Sequence, residues 1–529
     1  MRWPRCGGLA GAGRADWCGG RGRRCAAASP ALAGSLVTVA TTSAETTAGD
    51  GACWLAEALA YAQRLNGSNT DCGTTATGTT VISLAEGTYA VPPANASRSH
   101  LEIGSGAPGP VVIQGPALGT IGTAIDGQGA HGRMLLIDPG ATVILKNLTL
   151  RGGLEDLTGS GGGINNQGTL TLDHVTVTGN RTQAPSFLPP SIFVPFHGGG
   201  IYNTGTLNLV HSIVAGNSTD HGYTGLTIAC FKVAAPGTDG GIYNQGGTVD
   251  AAYTAIAGNS TGAGGDTGRP GCESGGVGGL GGAGGGIYNN RGTVVLRQSA
   301  VYGNTTGAGG NGGASGPGGS GGMGGTGGAG AGLFSNGQLP VTDTTITGNV
   351  TGNGGTGGSG ARPGGGGAGG GIFQASGAAT VQESTVASNT TGTGATAGGS
   401  VVLGPGPGSG FYVDEGPLTE INTIVSNDNC AVYLTFGQIK DGLAAGDGHL
   451  NLTYPATTTC PGIIADPHLG PLHDNGGPTS TMAITPPSPA IDRIPPLASA
   501  GCTPIDQRGI PRPQPAGGRC DIGAYEYQP

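Results

Sequence analysis

The sequence predicts an all-β solenoid in which short strands stack coil upon coil, and three observations indicate this fold class. A motif of the form Gly-Gly-Gly-Ile-x-Asn, Gly-Thr-Leu-x-Leu and x-Val-x-Gly-Asn occurs seven times between Gly161 and Asn427. The spacing between copies grows from 37 to 46 residues and then falls to 39, so a constant unit alternates with an insert of variable length. The chain also has 115 Gly among 529 residues and only 10% charged residues. Such a composition suits stacked coils that bury small and β-branched side chains better than an ordinary globular core.

Each repeat contains three predicted strands that together form one coil of about 20–25 residues. The copies begin at Ile164, Ile201, Ile242, Ile287, Leu333, Ile372 and Phe411, and they end sixteen or seventeen residues later at Asn180, Asn217, Asn259, Asn304, Asn349, Asn389 and Asn427. These Asn residues are predicted to stack as a ladder, because Asn tolerates left-handed turns and bonds neighbouring backbones. A second ladder is predicted at Asn166, Asn203, Asn244 and Asn289. Six members of the first ladder are also Asn-x-Ser/Thr sequons, and we favour the ladder over glycosylation.

Four segments are predicted along the chain. Residues 1–33 read as a signal peptide or a disordered leader, since three Arg precede a short apolar stretch and Ala33 ends an Ala-x-Ala cleavage pattern. Residues 34–90 are predicted to be an N-terminal cap, with a helix in 53–65 that starts near Asp50 as N-cap and covers the open end of the solenoid. Residues 91–459 are the solenoid of about ten to twelve coils, with its repeats in 161–427. Residues 460–529, rich in Pro and turns, are predicted to wrap the last coils.

Eight cysteines follow the leader, and none has the Cys-x-x-Cys spacing of a zinc or redox site. Disulfides in an oxidising compartment are the better interpretation. Neighbouring cysteines suggest the pairs Cys53–Cys72, Cys230–Cys272, Cys430–Cys460 and Cys502–Cys520. Because eight cysteines allow about 105 connectivities, this pairing is a hypothesis.

Three of the inserts repeat glycine with a period of three. Every third residue from Gly310 to Gly330 is Gly, and 275–285 and 354–370 show the same period. A three-residue period is that of the extended left-handed helix, which has no internal hydrogen bonds. Two hypotheses follow: the inserts lie side by side as polyglycine-type helices bonded through their backbones, or they are flexible Gly-rich loops.

Several strings resemble known families of bacterial surface proteins. The C-terminal strings are 466–472 (DPHLGPL), 474–479 (DNGGPT), 488–492 (SPAID), 506–513 (DQRGIPRP) and 520–526 (CDIGAYE). In this order they resemble the choice-of-anchor Q domain. The segment Cys53–Leu59 is similar to the CSLREA module, although Trp54 and Ala56 depart from that string. The repeats resemble right-handed parallel β-helices of the pectin-lyase type. The resemblance implies an exported, surface-associated β-helix of unassigned activity.

In each repeat, residues at the junction between the second and third predicted strands align with those of the next repeat, and most of them are polar. The aligned residues are Asp173 with His174, Val210 with His211, Tyr253, Arg297 with Gln298, Asp343 and Glu383. The set is chemically mixed, which favours a solvated face over a catalytic groove, although His174 and His211 are predicted to stack. Asp126 and Asp506 fit turns. The Gly runs lack the Asp of calcium-binding nonapeptides and the Gly-Lys-Ser/Thr of phosphate loops. The sequence therefore leaves any catalytic residue unidentified, and it predicts no cofactor and no metal site.

The predicted function is a structural or adhesive role for a secreted or cell-surface monomer. Expected partners are cell-wall or extracellular polysaccharide, or another surface protein. Only six Lys or Arg lie between Arg181 and Pro417 and the net charge is -9, so we expect no nucleic-acid binding. No stretch has the roughly 20 apolar residues of a membrane span. The alternatives are a polysaccharide lyase or glycosidase, which needs converging carboxylates, and ice binding through Thr176, Thr178 and Thr347.

Overall fold

Parallel pairing between equivalent strands of successive coils organises this chain. The computed structural model describes residues 35–39, 50–63, 71–73, 78–91, 101–116, 122–129, 132–156, 160–183, 197–222, 239–267, 275–397, 401–433, 437–441, 450–456, 459–495 and 501–529. Ile201–Asn203 pairs in register with Ile164–Asn166 on one side and with the strand that begins at Ile242 on the other. The same in-register pairing repeats from coil to coil. The predicted right-handed parallel β-helix is confirmed.

The described ranges contain one helix and 38 strands. The helix is α1 (Leu55–Ala62). In chain order the strands are β1 (Ser35–Thr38), β2 (Thr80–Ser83), β3 (Gly87–Ala90), β4 (Leu101–Ile103), β5 (Val111–Gln114), β6 (Thr123–Asp126), β7 (Leu135–Ile137), β8 (Thr142–Arg151), β9 (Leu154–Glu155), β10 (Ile164–Asn166), β11 (Thr169–Thr178), β12 (Arg181–Thr182), β13 (Ile201–Asn203), β14 (Thr206–Val210), β15 (Ile213–Ala215), β16 (Ile242–Gln245), β17 (Thr248–Ala252), β18 (Ala255–Ala257), β19 (Ile287–Asn290), β20 (Thr293–Arg297), β21 (Ala300–Tyr302), β22 (Leu333–Ser335), β23 (Gln338–Thr342), β24 (Thr345–Thr347), β25 (Ile372–Gln374), β26 (Ala378–Gln382), β27 (Thr385–Ala387), β28 (Thr396–Ala397), β29 (Val401–Val402), β30 (Phe411–Val413), β31 (Gly416–Ile421), β32 (Ile424–Ser426), β33 (Cys430–Val432), β34 (Gly437–Asp441), β35 (Leu452–Tyr454), β36 (Ile463–Ile464), β37 (Leu469–His473) and β38 (Thr481–Ile484).

Each coil contributes three strands to the stack. Ten short strands, β4, β7, β10, β13, β16, β19, β22, β25, β30 and β33, form one sheet. The other two strands of each coil belong to a 22-stranded sheet that turns a corner. In the first repeat, β11 runs through this corner as a single strand, and the later repeats have a break there. The three predicted strands per repeat are confirmed.

The core is a set of apolar columns that run along the solenoid axis. Inward and outward residues alternate along each strand, as a half-buried strand requires. Leu207 and Leu209 of β14 are fully buried and lie in register between Leu170 and Leu172 of β11 and the small residues of β17. Because equivalent residues meet at every coil, one apolar motif repeated along the chain is enough to build a continuous core.

The helix α1 packs on the first coils. Leu55, Leu59 and Ala62 are buried, as their helical spacing predicts, and they join the same core as the first strands. Its N-cap is Trp54, whose backbone N–H donates to Glu57 at 3.2 Å. The prediction of Asp50 as N-cap is wrong: the Asp50 carboxylate instead accepts hydrogen bonds from the Ala52 backbone and the Trp54 indole. The N-cap therefore lies four residues after the predicted one, and the helix starts at Leu55.

Two Asn ladders run through the interior, as predicted. In the longer ladder each side-chain amide donates to the Oδ1 of the next coil, at 2.9–3.0 Å from Asn180 as far as Asn389. These ladder residues are at most 4% exposed, so their sequons are inaccessible to a glycan in the folded chain. The second ladder runs from Asn166 to Asn289 and continues to Ser335.

At the last rung of the longer ladder, the structure differs from the alignment of the repeats. Asn389 donates to the Asp428 carboxylate through both its backbone and side-chain nitrogens, each at 2.8 Å. The assignment of Asn427 to the ladder is wrong by one residue. Asn427 has a φ of 55° and occupies the left-handed position that Gly348 occupies two coils earlier. Asn suits both positions, so the sequence motif alone could not separate them.

Disulfides lie in the N-terminal cap, at the last coils and in the C-terminal segment. Cys53–Cys72, Cys430–Cys460 and Cys502–Cys520 are bonded, which confirms three of the four predicted pairs. Cys230 and Cys272 lie outside the described residues, as does the predicted leader 1–33. In the described part of the chain, no helix is long and apolar enough to cross a membrane.

The C-terminal segment wraps the later coils, as predicted. Its apolar residues Ile484, Ile494 and Ile522 form a second core with Ile424 and Leu452 of the solenoid. Polar contacts extend this wrapping several coils back, because the Thr479 hydroxyl donates to the Gln298 carbonyl at 3.1 Å. Residues 466–495 and 501–529 therefore lie along the flank of the stack.

The last rung of the longer ladder, Asp428, is ionisable, so the stability of the folded chain depends on pH. Burial raises the pKa of Asp428 to about 7, although hydrogen bonds from Asn389 oppose this shift. In the unfolded chain an Asp titrates near pH 4, so the native state binds this proton more tightly. The associated stability is fully present below about pH 4 and is lost as the pH rises through about 7. We expect Asp428→Asn, which restores the neutral rung of the other coils, to raise the melting temperature near pH 8 by about 2–4 °C.

The measurement is thermal unfolding of wild type and variant at several pH values between about 4 and 8. Glu86→Gln, at an exposed turn, is the matched control for loss of one carboxylate. An Asp428→Asn variant with the same pH dependence as wild type would contradict this role.

Candidate functional site

The Gly-rich inserts form a second ordered layer beside the solenoid. Each insert has an outbound leg, which leaves the coil after the Asn ladder, and a return leg, which leads into the next coil. We call the set of legs the polyglycine plate. Its outbound legs are 260–267, 305–316, 350–358 and 390–397, and its return legs are 275–284, 319–330, 361–369 and 401–408.

Backbone hydrogen bonds join the legs within each layer and between the two layers. Outbound legs bond to one another, as in Gly309 N–H to Asn353 O at 2.8 Å, and return legs do the same, as in Gly281 N–H to Thr326 O at 2.9 Å. The layers are joined by bonds such as Gly310 N–H to Gly279 O at 2.8 Å. This network confirms the hypothesis of polyglycine-type helices, and it excludes the alternative of flexible loops for the described legs.

Only glycine fits the inner positions of the plate. A Cβ at Gly310 would lie 1.9 Å from the Gly265 carbonyl oxygen, and one at Gly325 would lie 1.9 Å from the Gly279 carbonyl oxygen. With three residues per turn, two positions face neighbouring legs and the third faces solvent. The third positions hold the side chains of the plate. A Cβ at the outward Gly365 would meet no atom within 4 Å.

The two faces of the plate differ in chemistry. The return face carries Leu280 and Met323, which are 55% and 50% exposed. The outbound face carries a polar row of exposed residues: the Asp266 carboxylate accepts from Asn311 N at 2.6 Å, and Asn311 Oδ1 accepts from the Thr356 hydroxyl at 2.6 Å. Adjacent coils hold these side chains in register, so the rows are straight.

Residues with a left-handed backbone conformation form a column at the corner between the two longer strands of each coil. Eight consecutive coils place a non-glycine residue there with φ between 44° and 56°: Asn147, His174, His211, Tyr253, Gln298, Asp343, Glu383 and Asn422. The left-handed residue interrupts the in–out alternation. In β11, for example, Asp173 and His174 both face outward. The polar column predicted from the repeats therefore exists, and the structure divides it into a covered and an open half.

The covered half lies beneath the C-terminal segment. Asp343 and Glu383 are fully buried, so the expectation of a solvated face is wrong for them. The Thr503 backbone N–H donates to the Glu383 carboxylate at 3.0 Å, and its hydroxyl donates to Asp343 Oδ1 at 2.9 Å. The Arg512 guanidinium lies 3.3 Å from Asp343, 3.5 Å from Glu383 and 3.3 Å from Glu526. Sequence alignment of the repeats could not show contacts to residues more than a hundred positions away.

Burial sets the protonation of this cluster. It raises the pKa of Asp343 to about 7, against the opposing effect of Arg512, and it raises the pKa of Glu526 to about 7. Three carboxylates thus share one buried guanidinium in a water-poor site. Such a cluster holds the C-terminal segment in one register, and it leaves no carboxylate free to act on an external substrate.

The open half of the column borders a groove of about 430 Å³. His174, His211 and Tyr253 line it on the solenoid side, and Gly477 and Pro478 form the opposite wall. The rings of His174 and His211 stack with centroids 4.7 Å apart, which confirms the predicted stacking. Tyr253 continues the stack at 4.9 Å from His211.

Two charged groups adjoin the stacked rings. The Asp173 carboxylate lies 2.7 Å from His174 Nδ1 and 3.3 Å from Lys146 Nζ. Although burial raises it, hydrogen bonds from His174 and Lys146 hold the pKa of Asp173 below its ordinary value. Burial lowers the pKa of His211, and the charge of the neighbouring His174 lowers it further. The open half therefore presents an ionised carboxylate next to a neutral imidazole.

A second stack of aromatic rings was not predicted from the sequence. It runs along the short sheet through Tyr202, Tyr243, Tyr288, Phe334, Phe373 and Tyr412, with neighbouring centroids 4.5–5.6 Å apart. The signal was present, since an aromatic residue follows the first Ile or Leu in these repeats. The stack supports the base of the return legs, whose glycines at 284 and 330 approach Tyr288 and Phe334.

The remaining candidates from the sequence have structural roles. Asp126 accepts from the Gln128 backbone and pairs with Arg151, and Asp506 accepts from the Arg508 backbone, as turn residues do. The Thr column proposed for ice binding is interrupted: Thr178 aligns with Ala215 in the next coil, and Thr347 with Ala387.

Comparison with known proteins gave no match to a protein-family model, a curated protein or a solved structure. The choice-of-anchor Q and CSLREA resemblances therefore remain predictions.

We expect the plate to lose order when an inner glycine gains a side chain. Gly325→Ala places a methyl group against the Gly279 carbonyl, so legs 305–330 and 275–284 must separate. Hydrogen exchange of these legs should then accelerate by at least about tenfold, while exchange in the apolar core stays slow. Gly365→Ala is the matched control at an outward position and should behave as wild type. Equal exchange in both variants would contradict the packing.

Removal of the buried guanidinium should release the C-terminal segment. Arg512→Leu leaves Asp343, Glu383 and Glu526 buried without their cation, at a cost of about 3–5 kcal/mol. We expect limited proteolysis to cleave within 459–529 while the repeats remain resistant. Arg493→Leu, on the exposed surface of the same segment, should leave the cleavage pattern unchanged. Protection of 459–529 in Arg512→Leu would argue against the anchoring role.

Proposed function

We propose that this chain is a secreted or cell-surface scaffold whose polyglycine plate mediates adhesion. The observation that carries the proposal is the plate itself: eight legs, fixed by backbone hydrogen bonds, with outward side chains in straight rows. A flexible loop would lose conformational entropy on binding an extended partner, whereas fixed legs have already lost it. The plate therefore suits binding to a long, regular partner.

The outbound face fits an extracellular or cell-wall polysaccharide. Asn311, Thr356, Asn353 and Thr393 are exposed and offer amide and hydroxyl groups at one coil spacing. Repeating hydroxyls of a polysaccharide chain can pair with such a row. The return face, with Leu280 and Met323, fits an apolar patch on another surface protein better.

Export is proposed from the disulfides and from the resemblances. Three bonded pairs suit an oxidising compartment. We assign 1–33 as the leader, 34–90 as the CSLREA-like cap, 91–459 as the pectin-lyase-like solenoid and 460–529 as the choice-of-anchor Q-like segment. The packing of 466–495 and 501–529 along the solenoid supports treating the C-terminal segment and the solenoid as one unit.

The enzyme alternative has less support. A glycosidase needs two carboxylates about 5–10 Å apart in an open groove. Among the described residues, the carboxylates that converge around Arg512 are buried and paired with it. The open groove at His174 and His211 has Asp173 as its neighbouring carboxylate.

Sedimentation with insoluble polysaccharides tests the proposal. The folded chain should sediment with at least one matrix among peptidoglycan, cellulose and chitin. Asn311→Ala combined with Thr356→Ala should weaken this binding by about tenfold, which corresponds to about 1.4 kcal/mol. Ile464→Ser, which changes an exposed apolar residue away from the plate, should have no effect. Leu280→Ser combined with Met323→Ser tests the return face in the same assay.

If the chain sediments with none of these matrices, polysaccharide adhesion is contradicted. Equal binding by wild type and both plate variants would exclude the plate as the binding surface. Release of new reducing ends or unsaturated uronates from any of the matrices would favour the enzyme alternative.

A further inference from the structure

The open half of the left-handed column brings together three side chains of the kinds that bind metals. Asp173, His174 and His211 each offer one ligand atom, and these atoms all lie within 4.8 Å of one another. Asp173 and His174 come from β11, and His211 follows β14 in the next coil. We propose that these three residues bind a divalent transition-metal ion such as Zn²⁺. This proposal is independent of adhesion by the plate.

The backbone holds the two imidazoles at a suitable separation. Because β11 and β14 pair in register, His174 and His211 are neighbours across one coil spacing, with nearly parallel rings at an interplanar angle of 10°. Nitrogen ligands lie about 2.0–2.1 Å from Zn²⁺, so two of them in a tetrahedral site are about 3.4 Å apart. Because each nitrogen lone pair lies in its ring plane, the nearly parallel rings must also rotate out of the stack so that their nitrogens converge on one ion. His174 has room for this motion, since its side chain is 34% exposed.

The local charges favour a cation with nitrogen ligands. Imidazole binds metals in its neutral form, through a ring nitrogen. The Asp173 carboxylate supplies the negative charge, either as a direct ligand or by holding His174 Nδ1 so that Nε2 faces the metal. Lys146, 3.3 Å from Asp173, must move its ammonium group when the ion binds. Its side chain is 41% exposed, so water can solvate it after displacement.

The surrounding groove indicates an open rather than a closed metal site. Two imidazoles and one carboxylate are typical of Zn²⁺, Fe²⁺, Ni²⁺ or Cu²⁺ sites that keep a position for water or another ligand. Tyr253 closes one end of the ring stack, and Gly477 and Pro478 stand opposite, which leaves about 430 Å³ in front of the three residues. A small anionic group can occupy this space as a further ligand.

Alignment of the repeats predicts that the two histidines stack, but it does not predict that they bind a metal. The two histidines are 37 residues apart, far outside the short spacings of zinc motifs. They become neighbours because that separation equals one complete coil with its insert.

Metal titration of the full chain tests the proposal. The protein is stripped with a chelator and titrated with Zn²⁺ by calorimetry, and Co²⁺ is used as a second probe because its visible absorption reports coordination geometry. We expect one ion per chain at this site. His174→Asn and His211→Asn should each weaken binding at least about 100-fold, or about 2.7 kcal/mol. Asn is chosen because Asn147 and Asn422 occupy the same left-handed position in other coils, so the fold should tolerate it.

His473→Asn is the matched control, since His473 is exposed in β37, outside the three-residue cluster. It should bind Zn²⁺ like wild type, and Asp173→Asn should bind more weakly than wild type. The proposal is overturned if the His174→Asn/His211→Asn double variant, checked for folding by thermal unfolding, binds Zn²⁺ with wild-type affinity. A similar loss in His473→Asn would also overturn it, because binding would then not depend on this cluster.

Discussion

In-register parallel pairing of successive coils is the constraint on which the rest of the structure depends. Every residue in a repeat lies directly beside its equivalent in the next coil, about 4.8 Å away along the axis. One residue choice is thereby multiplied into a column: an apolar core column, an Asn ladder, a stack of rings or a row of corner residues. The same constraint places neighbouring inserts one coil spacing apart. This is the distance at which polyglycine helices can bond to each other.

The plate depends on the solenoid more than on its own sequence. Isolated glycine-rich chains lose much backbone entropy on ordering, and their legs bury few side chains. Here the coils fix both ends of every insert, so the legs start in phase and their backbone groups meet at bonding distance. The aromatic stack beneath the return legs supports the point where each leg rejoins its coil.

Properties that repeat along the chain could be predicted from the sequence, whereas those that arise from distant pairing could not. The strands, the Asn ladders, the stacking of His174 on His211 and three disulfides follow from local patterns and alignment of the copies. The alignment failed at Asn427 because the last repeat carries Asn and Asp where earlier repeats carry Gly and Asn. It failed again at Asp343 and Glu383, since their burial depends on Arg512 and Thr503, which belong to no repeat. The approach of Asp173 to Lys146 and to the groove wall at Gly477 likewise depends on tertiary packing.

The three-residue turn of the plate has a consequence for how such a chain can vary. Each leg presents one outward side chain per turn, and successive residues are rotated by about 120°. An insertion of three residues lengthens a leg and leaves every outward position outward. An insertion of one residue rotates all later positions, and it turns a side chain toward a carbonyl that only glycine can approach. The inserts of this protein can therefore change in length by three residues at a time without turning an outward side chain inward. In this sense the polyglycine legs have a reading frame of three residues, set by their helical turn.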